Sequence, residues 1–263
     1  MVVGIVGLGT LGRAIAAGLT GQARVSEIVA TTRRGLADPN LPGVAVATDN
    51  RALAQRAGVI FLCVKPFQME KICREIAPAL THDKLVVTAA AAISTAQVQN
   101  WIGGGDVPVV RAMPNTPFRV GEGMTVLAPG AHATEQHLEL AESLFASHGR
   151  TAVVEERLMD AVTGISGCGP AYMYVVIEAL SDAGVKLGLP RETARLLVAQ
   201  TMLGSAKLVL NSDAHPAALK DEVTTPAGCT IDGLMELEDG KLRHTLLRAA
   251  VAAAKRSATL ASD

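Results

Sequence analysis

The hexapeptide "GLGTLG", Gly7-x-Gly9-x-x-Gly12, follows a β-branched run and precedes a run of helix formers. Glycine at the first position permits a tight turn, and at the second it lets backbone approach a pyrophosphate. At the third it lets helix and strand pack closely. The helix start that follows, with Thr10 and Leu11, offers oriented N–H donors to phosphate. At the end of the second strand, where an NAD site carries Asp or Glu, the chain reads Thr31-Thr32-Arg33-Arg34. Hydroxyls and guanidiniums suit a 2′-phosphate through charge-assisted bonds, so Thr32 and Arg33 are expected contacts and NADPH the expected cofactor. An ordinary solvated surface pair is the competing reading.

A second stretch, "DEVTTPAGCTIDG" from Asp221 to Gly233, holds neither a strong base nor a metal cage in its middle. The apolar positions Ile231, Leu234 and Leu237 predict a helix whose first turn begins near Gly228 to Thr230. Free N–H groups and the dipole at such an N-terminus make an anion site. A plain N-cap accounts for Thr230 equally well. Lys65-Pro66 closes a strand at the edge where open α/β sheets bind cofactors. Cys63, Val64, Lys65 and Pro66 are therefore expected to line the ribose and nicotinamide end. Asn115, between two prolines, is expected near the nicotinamide, with a turn-forming Asn as the alternative. The four cysteines, Cys63, Cys73, Cys168 and Cys229, form no CxxC pair and have no His at ligand spacing. Reduced thiols and no metal site are expected.

These residues need a scaffold, and the chain divides by period. Up to Val154, apolar runs such as Val2–Gly7, Glu27–Thr32, Val59–Val64, Lys84–Ala90 and Val107–Met113 alternate with helical stretches at Leu11–Leu19, Pro66–Leu80 and Ala96–Ile102. Further strands around Met124–Leu127 and Thr151–Val154 bracket a helix with Thr134 as its N-cap. The expectation is an α/β, Rossmann-type doubly wound domain over residues 1–154, with strands buried on both faces. From Glu155 the chain is Ala/Leu-rich without strand alternation. That predicts an all-helical domain over 155–263, with Pro170 and Pro190 in first helical positions. Those helices carry more apolar surface than one face needs, which predicts homodimerisation through them.

The chain has 263 residues, 49% hydrophobic but only 3% aromatic, with a net charge of −1. Charge this close to balance gives no reason for a nucleic-acid or anionic-membrane partner. No apolar run reaches the roughly 20 residues of a membrane span. A soluble, cytoplasmic protein is expected.

Several blocks resemble the pyrroline-5-carboxylate reductase family of proline biosynthesis: "FLCVKP" (61–66), "RAMPNTP" (111–117), "VGEG" (120–123), "AVTGISGCGPAY" (161–172), "DAGVKLGLPRETA" (182–194), "AQTMLGSAKLVL" (199–210) and "HPAALKDEVTTPAGCTIDGL" (215–234). The resemblance runs nearly end to end. It implies a Rossmann domain followed by a helical dimerisation domain, oligomers built on interlocked dimers, and reduction of L-1-pyrroline-5-carboxylate to L-proline by hydride from NAD(P)H. NADPH is thus the expected donor, with NADH an alternative. It further implies that Gly228, Cys229 and Thr230 hold the substrate carboxylate through backbone amides, with the Thr230 hydroxyl near the imine nitrogen. The chain departs from the family pattern at Cys168, Ala227, Cys229 and Ala92; at Ala92 and Ala227 glycine is usual.

Three rivals stand beside this. A β-hydroxyacid dehydrogenase would use a lysine such as Lys186 or Lys207, but leaves the Thr224–Gly233 loop without a task. An imine reductase on a non-carboxylated ring would not need the anion site. A non-catalytic NADPH-binding regulator would need neither.

Overall fold

The structure, a computed structural model, describes residues 1–32, 38 and 40–260. The first part alternates β1 (Val2–Val6), α1 (Thr10–Leu19), β2 (Glu27–Thr31), β3 (Val44–Ala47), α2 (Asn50–Arg56), β4 (Val59–Leu62), α3 (Pro66–Ile76), β5 (Leu85–Thr88), α4 (Thr95–Trp101) and β6 (Val109–Pro114). It continues through β7 (Gly123–Pro129), α5 (Glu135–Phe145), β8 (Gly149–Val153) and α6 (Met159–Val162). Helices α7 (Gly169–Lys186), α8 (Arg191–Leu210), α9 (Pro216–Glu222), α10 (Cys229–Asp239) and α11 (Leu242–Thr259) complete the chain.

Among the described residues eight strands form one sheet in the order β3-β2-β1-β4-β5-β6-β7-β8. The first six run parallel, as their near-continuous apolar runs require when both faces are covered. β7 pairs antiparallel with β6, and β8 runs parallel to β7. Connection length explains the reversal. Residues 115–122 are too few for a helical crossover, which takes a dozen or more, so the chain turns back beside β6. Strand β3 and helix α2 were not anticipated from the sequence. β3 is a four-residue "VAVA", and α2 holds only seven residues. Its start is fixed by Asp49, whose carboxylate accepts from Ala52 N–H at 2.9 Å.

Alternate strand residues feed two cores. Val3, Ile5, Phe61, Val87 and Val110 pack with Ile15, Leu19, Leu144 and Phe145 of α1 and α5. Ile60, Leu62, Val86 and Val109 pack with Leu53, Met69, Cys73 and Val98 of α2, α3 and α4. Each fully buried Leu, Ile or Phe contributes about 1.5–3 kcal/mol relative to exposure. The few aromatics concentrate on the first face. Phe61 meets Phe145 edge-on at 5.6 Å, and Phe118 stacks on His148 at 3.7 Å. The expected cap at Thr134 is present as a capping box with His137.

The chain divides into two compact units. One is Met1–Cys168 with the chain from Ala252 onward; the other is Gly169–Val251. Met159 is fully buried with Val126 and Ala128 of β7, and the buried Ser257 donates to Asp160 at 2.7 Å, which ties residues 156–168 and the end of α11 to the sheet. The second unit is helical throughout, with α7 packed against α8. Gly184 lies where a side chain would crowd Ala194 of α8. Pro190 sits one residue before α8, at its N-cap rather than its first helical position. Among the described residues of this unit Ala194 is the one buried hydrophobic side chain, while Tyr174, Val175, Leu187, Leu196, Leu208 and Met235 are all exposed. No helix of the described residues is long and apolar enough to cross a membrane.

Candidate functional site

The glycine turn sits at the C-terminal edge of the parallel sheet. Gly7 has φ +97°, and a Cβ there would press on Cys63 O and Val64 Cγ1, so only glycine lets β1 and the end of β4 meet. A Cβ at Gly12 would overlap the Gly7 carbonyl oxygen, whereas at Gly9 it would meet nothing within 4 Å. The three glycines thus serve turn, clearance toward an open space, and helix–strand approach. Gly9 is also the N-cap of α1 and carries no side chain to occupy the free N–H groups of Thr10 and Leu11.

Beside this turn lies a cavity of about 840 Å³, a size suited to a dinucleotide. Val6 to Gly9, Thr31, Thr32 and Cys63 to Lys65 line it. Lys65 is the N-cap of α3 and Pro66 its first residue. The Cys63 thiol is pushed up to about 12 by burial, which makes it an inert packing group rather than a nucleophile. Thr32 Oγ1 is buried without a hydrogen-bond partner among the described residues. An orphaned hydroxyl in a cavity wall fits a cofactor ribose or phosphate oxygen. Arg33 lies outside the described residues.

The wall also contains residues that sequence reasoning missed: Thr48, Asn50, Phe67, Lys71 and Glu75. Thr31 Oγ1 donates to Asn50 Oδ1 at 2.6 Å, and Asn50 Nδ2 donates to Glu75 Oε1 at 3.1 Å. Helical spacing of residues 68, 71, 72 and 75 in α3 could have marked one face, but nothing local said that it faced a cleft.

Asn115 has both ends of its amide engaged within the fold. Oδ1 accepts from Met124 N–H at 2.9 Å, and Nδ2 donates to Ser166 Oγ at 3.3 Å. It ties the end of β6 to the start of β7 and to the "TGISG" segment, Thr163–Gly167. That segment is a π-helical turn closed by Cys168 N–H to Thr163 O at 2.8 Å. A side chain at Gly167 would press on Met113 Cε. Close packing therefore accounts for this glycine.

In the helical unit, α10 starts at Cys229 with Gly228 as its N-cap. Thr230 is the second residue of the helix, so it is not the cap. Its hydroxyl is half-buried and has no hydrogen-bond partner among the described residues. The preceding Thr225-Pro226-Ala227-Gly228 closes with Gly228 N–H to Thr225 O at 3.0 Å, and Ala227 has φ +59°. Proline second and a left-handed third residue make a type II turn. It delivers the chain into α10 with the first N–H groups free.

A sheet edge built this way belongs to the nicotinamide-dinucleotide oxidoreductases of Rossmann type. Residues 2–92 match a family described as NADP oxidoreductase coenzyme F420-dependent, and residues 156–260 match pyrroline-5-carboxylate reductase dimerisation. The pyrroline-5-carboxylate reductase of Pisum sativum is 44% identical over 83% of this chain and 79% of its own length. That of Methanosarcina acetivorans is 36% identical over 98% and 97%. Plasmodium falciparum pyrroline carboxylate reductase, solved with NADP bound, superposes with a TM-score of 0.87 at 32% identity, covering 98% of this chain and 97% of that one. The chain belongs to the pyrroline-5-carboxylate reductase family.

Proposed function

We infer that this protein reduces L-1-pyrroline-5-carboxylate to L-proline with NAD(P)H, the last step of proline biosynthesis. The observation that carries it is the pairing, in one chain of this family, of the glycine cradle on β1 with a helix start at Gly228–Thr230. The first offers room and N–H donors for a pyrophosphate, the second N–H donors and an unpartnered hydroxyl. When bound, the nicotinamide supplies the hydride.

Residues 1–154 are assigned as the cofactor-binding part and 155–263 as the helical part for dimerisation and substrate binding. Gly7, Gly9, Thr10, Leu11 and Gly12 cradle the pyrophosphate, and Thr32 and Arg33 meet the adenosine ribose and its 2′-phosphate. Cys63, Val64, Lys65 and Pro66 border the ribose toward the nicotinamide. Asn115, held in place by its hydrogen bonds with Met124 N–H and Ser166 Oγ, is assigned to the nicotinamide end. In the helical part, the N–H groups of the α10 start take the substrate carboxylate, with Gly228 and Cys229 shaping the approach. Protonated pyrroline is already electrophilic, so no strong protein acid is required. The Thr230 hydroxyl accepts from the iminium N–H and fixes the ring for hydride delivery.

Self-association through the helical part covers the apolar side chains that this unit leaves exposed, such as Leu187 and Leu196. A soluble, cytoplasmic location accords with a substrate and cofactor of this kind. The test is loss of nicotinamide absorbance when NADPH and pyrroline-5-carboxylate are mixed with the protein. Consumption no greater than in a protein-free blank would refute the assignment. Thr230→Ala should slow turnover with NADPH affinity unchanged; equal weakening of both would make Thr230 a structural residue.

A further inference from the structure

The α3 wall of the cofactor cavity carries three features that packing does not explain. Phe67, the second residue of α3, is 83% exposed, and no other aromatic ring of the described residues contacts it. Lys71, one turn on, is exposed and makes no ion pair or hydrogen bond among the described residues. Glu75, one turn further, is held by Asn50 Nδ2, and Asn50 is in turn held by Thr31 at the end of β2. All three residues line the cavity that also contains the glycine turn and the orphaned Thr32 hydroxyl.

The chain Thr31–Asn50–Glu75 fixes where α3 stands relative to the end of β2. Residues four apart share one helix face, so Lys71 faces the same cleft one turn nearer the glycine turn. Glu75 would be the natural neutralising partner of Lys71, yet its carboxylate is drawn to Asn50, which leaves the ammonium available. A compact cation beside hydroxyls suits a dianion, and an unburied aromatic face beside it suits a planar heterocycle.

We propose that α3 forms the adenosine end of the cleft, with Phe67 supplying the face on which adenine lies and Lys71 the cation that takes up the 2′-phosphate. Asn50 serves as the positioning residue, taking one Glu75 oxygen so that this carboxylate does not pair with Lys71. This makes α3, and not the end of β2 alone, a determinant of NADPH over NADH. The inference rests on the cofactor part of the proposed function and not on the imine substrate.

The test is equilibrium binding to the full-length protein, by calorimetry, of 2′,5′-ADP, 5′-AMP, NADPH and NADH. Both side chains are exposed, so Lys71→Met and Phe67→Ala should keep the wild-type melting temperature. Lys71→Met should weaken 2′,5′-ADP and NADPH about tenfold and leave 5′-AMP and NADH within about twofold. Its NADPH affinity should also depend less on salt than that of the wild type. Phe67→Ala should weaken all four ligands, by roughly tenfold. Equal loss for phosphorylated and unphosphorylated ligands in Lys71→Met, or no loss at all, would overturn the assignment of Lys71. Unchanged binding in Phe67→Ala would overturn that of the ring. A wild-type protein that binds none of the four overturns this proposal and the cofactor reading together. Binding as described without pyrroline-5-carboxylate turnover would uphold it and refute only the substrate.

Discussion

Ala227 occupies a position that its turn would give to glycine, and replacing it with glycine should stabilise the protein. The Thr225–Gly228 turn is closed by a 3.0 Å hydrogen bond, and Ala227 stands at φ +59° in its third position. A left-handed L-residue costs about 1–2 kcal/mol because its Cβ crowds the following carbonyl. Glycine removes that cost but gives the unfolded chain more freedom, which returns about 0.4–1 kcal/mol. The net gain expected for Ala227→Gly is about 0.5–1 kcal/mol. In a chain of this length that raises Tm by roughly 1–4 °C. Ala227→Val should move the other way, since a β-branched side chain tolerates this region least. The assay is thermal unfolding at one fixed protein concentration, because a self-associating protein has a concentration-dependent Tm. A fall in Tm for Ala227→Gly, or a Val variant as stable as wild type, would refute the turn argument. Ala92, at φ +62°, gives an independent copy of the experiment in the other unit, and Ala92→Gly should raise Tm similarly.

Further outcomes follow from other contacts. Gly12→Ala places a methyl on the Gly7 carbonyl and should weaken NADPH binding at least tenfold, with overpacking costing about 1–3 kcal/mol of stability. Unchanged affinity would mean that α1 can slide on β1. Arg111, buried in β6, has its Nη1 3.6 Å from Glu156 and its Nη2 without a partner among the described residues. Glu156 also accepts from Thr95 N–H at 2.7 Å, holding the start of α4. Glu156→Gln strands the guanidinium and should cost about 3 kcal/mol in urea unfolding, with Arg111→Met in the same chain recovering part of it; a loss under about 1 kcal/mol would show that water already compensates the charge. Burial lowers the pKa of His148, against opposing hydrogen bonds to the Ala14 and Phe145 carbonyls. The unfolded chain therefore binds the proton first, so stability is full above about pH 6.5 and falls as pH drops below it. His148→Gln should flatten the decline of Tm between pH 6.5 and 5; parallel slopes would assign the acid sensitivity elsewhere.

Features carried by one short stretch were legible in the sequence. "GLGTLG" announces its turn because no other residue can take φ +97° at Gly7 or fit the contact at Gly12. Continuous apolar runs announce parallel strands because both faces of the sheet are covered. The helix start near Gly228 could be read from Ile231, Leu234 and Leu237. The family motifs, in order along nearly the whole chain, pointed to one chemistry. The four-residue β3 escaped because only Val44 of its "VAVA" is buried, so it lacks the continuous run of large apolar residues that marks the equally short β4 and β5.

What only the tertiary structure decided depends on residues far apart in the chain. The direction of β7 follows from a connection too short to cross over, not from its own side chains. That Met124 and Ser166 hold the Asn115 amide in place could be seen only in the fold, because both partners lie far from it in the chain. The plain N-cap alternative for Thr230 was set aside only when Gly228 was seen to hold that position. Asn50, Phe67, Lys71 and Glu75 have no shared motif, and they become one wall only because β2, α2 and α3 converge at the same edge of the sheet. Sequence determines local backbone chemistry, where steric limits act within a few residues. The cleft is a property of packing, because its walls are set by which elements meet.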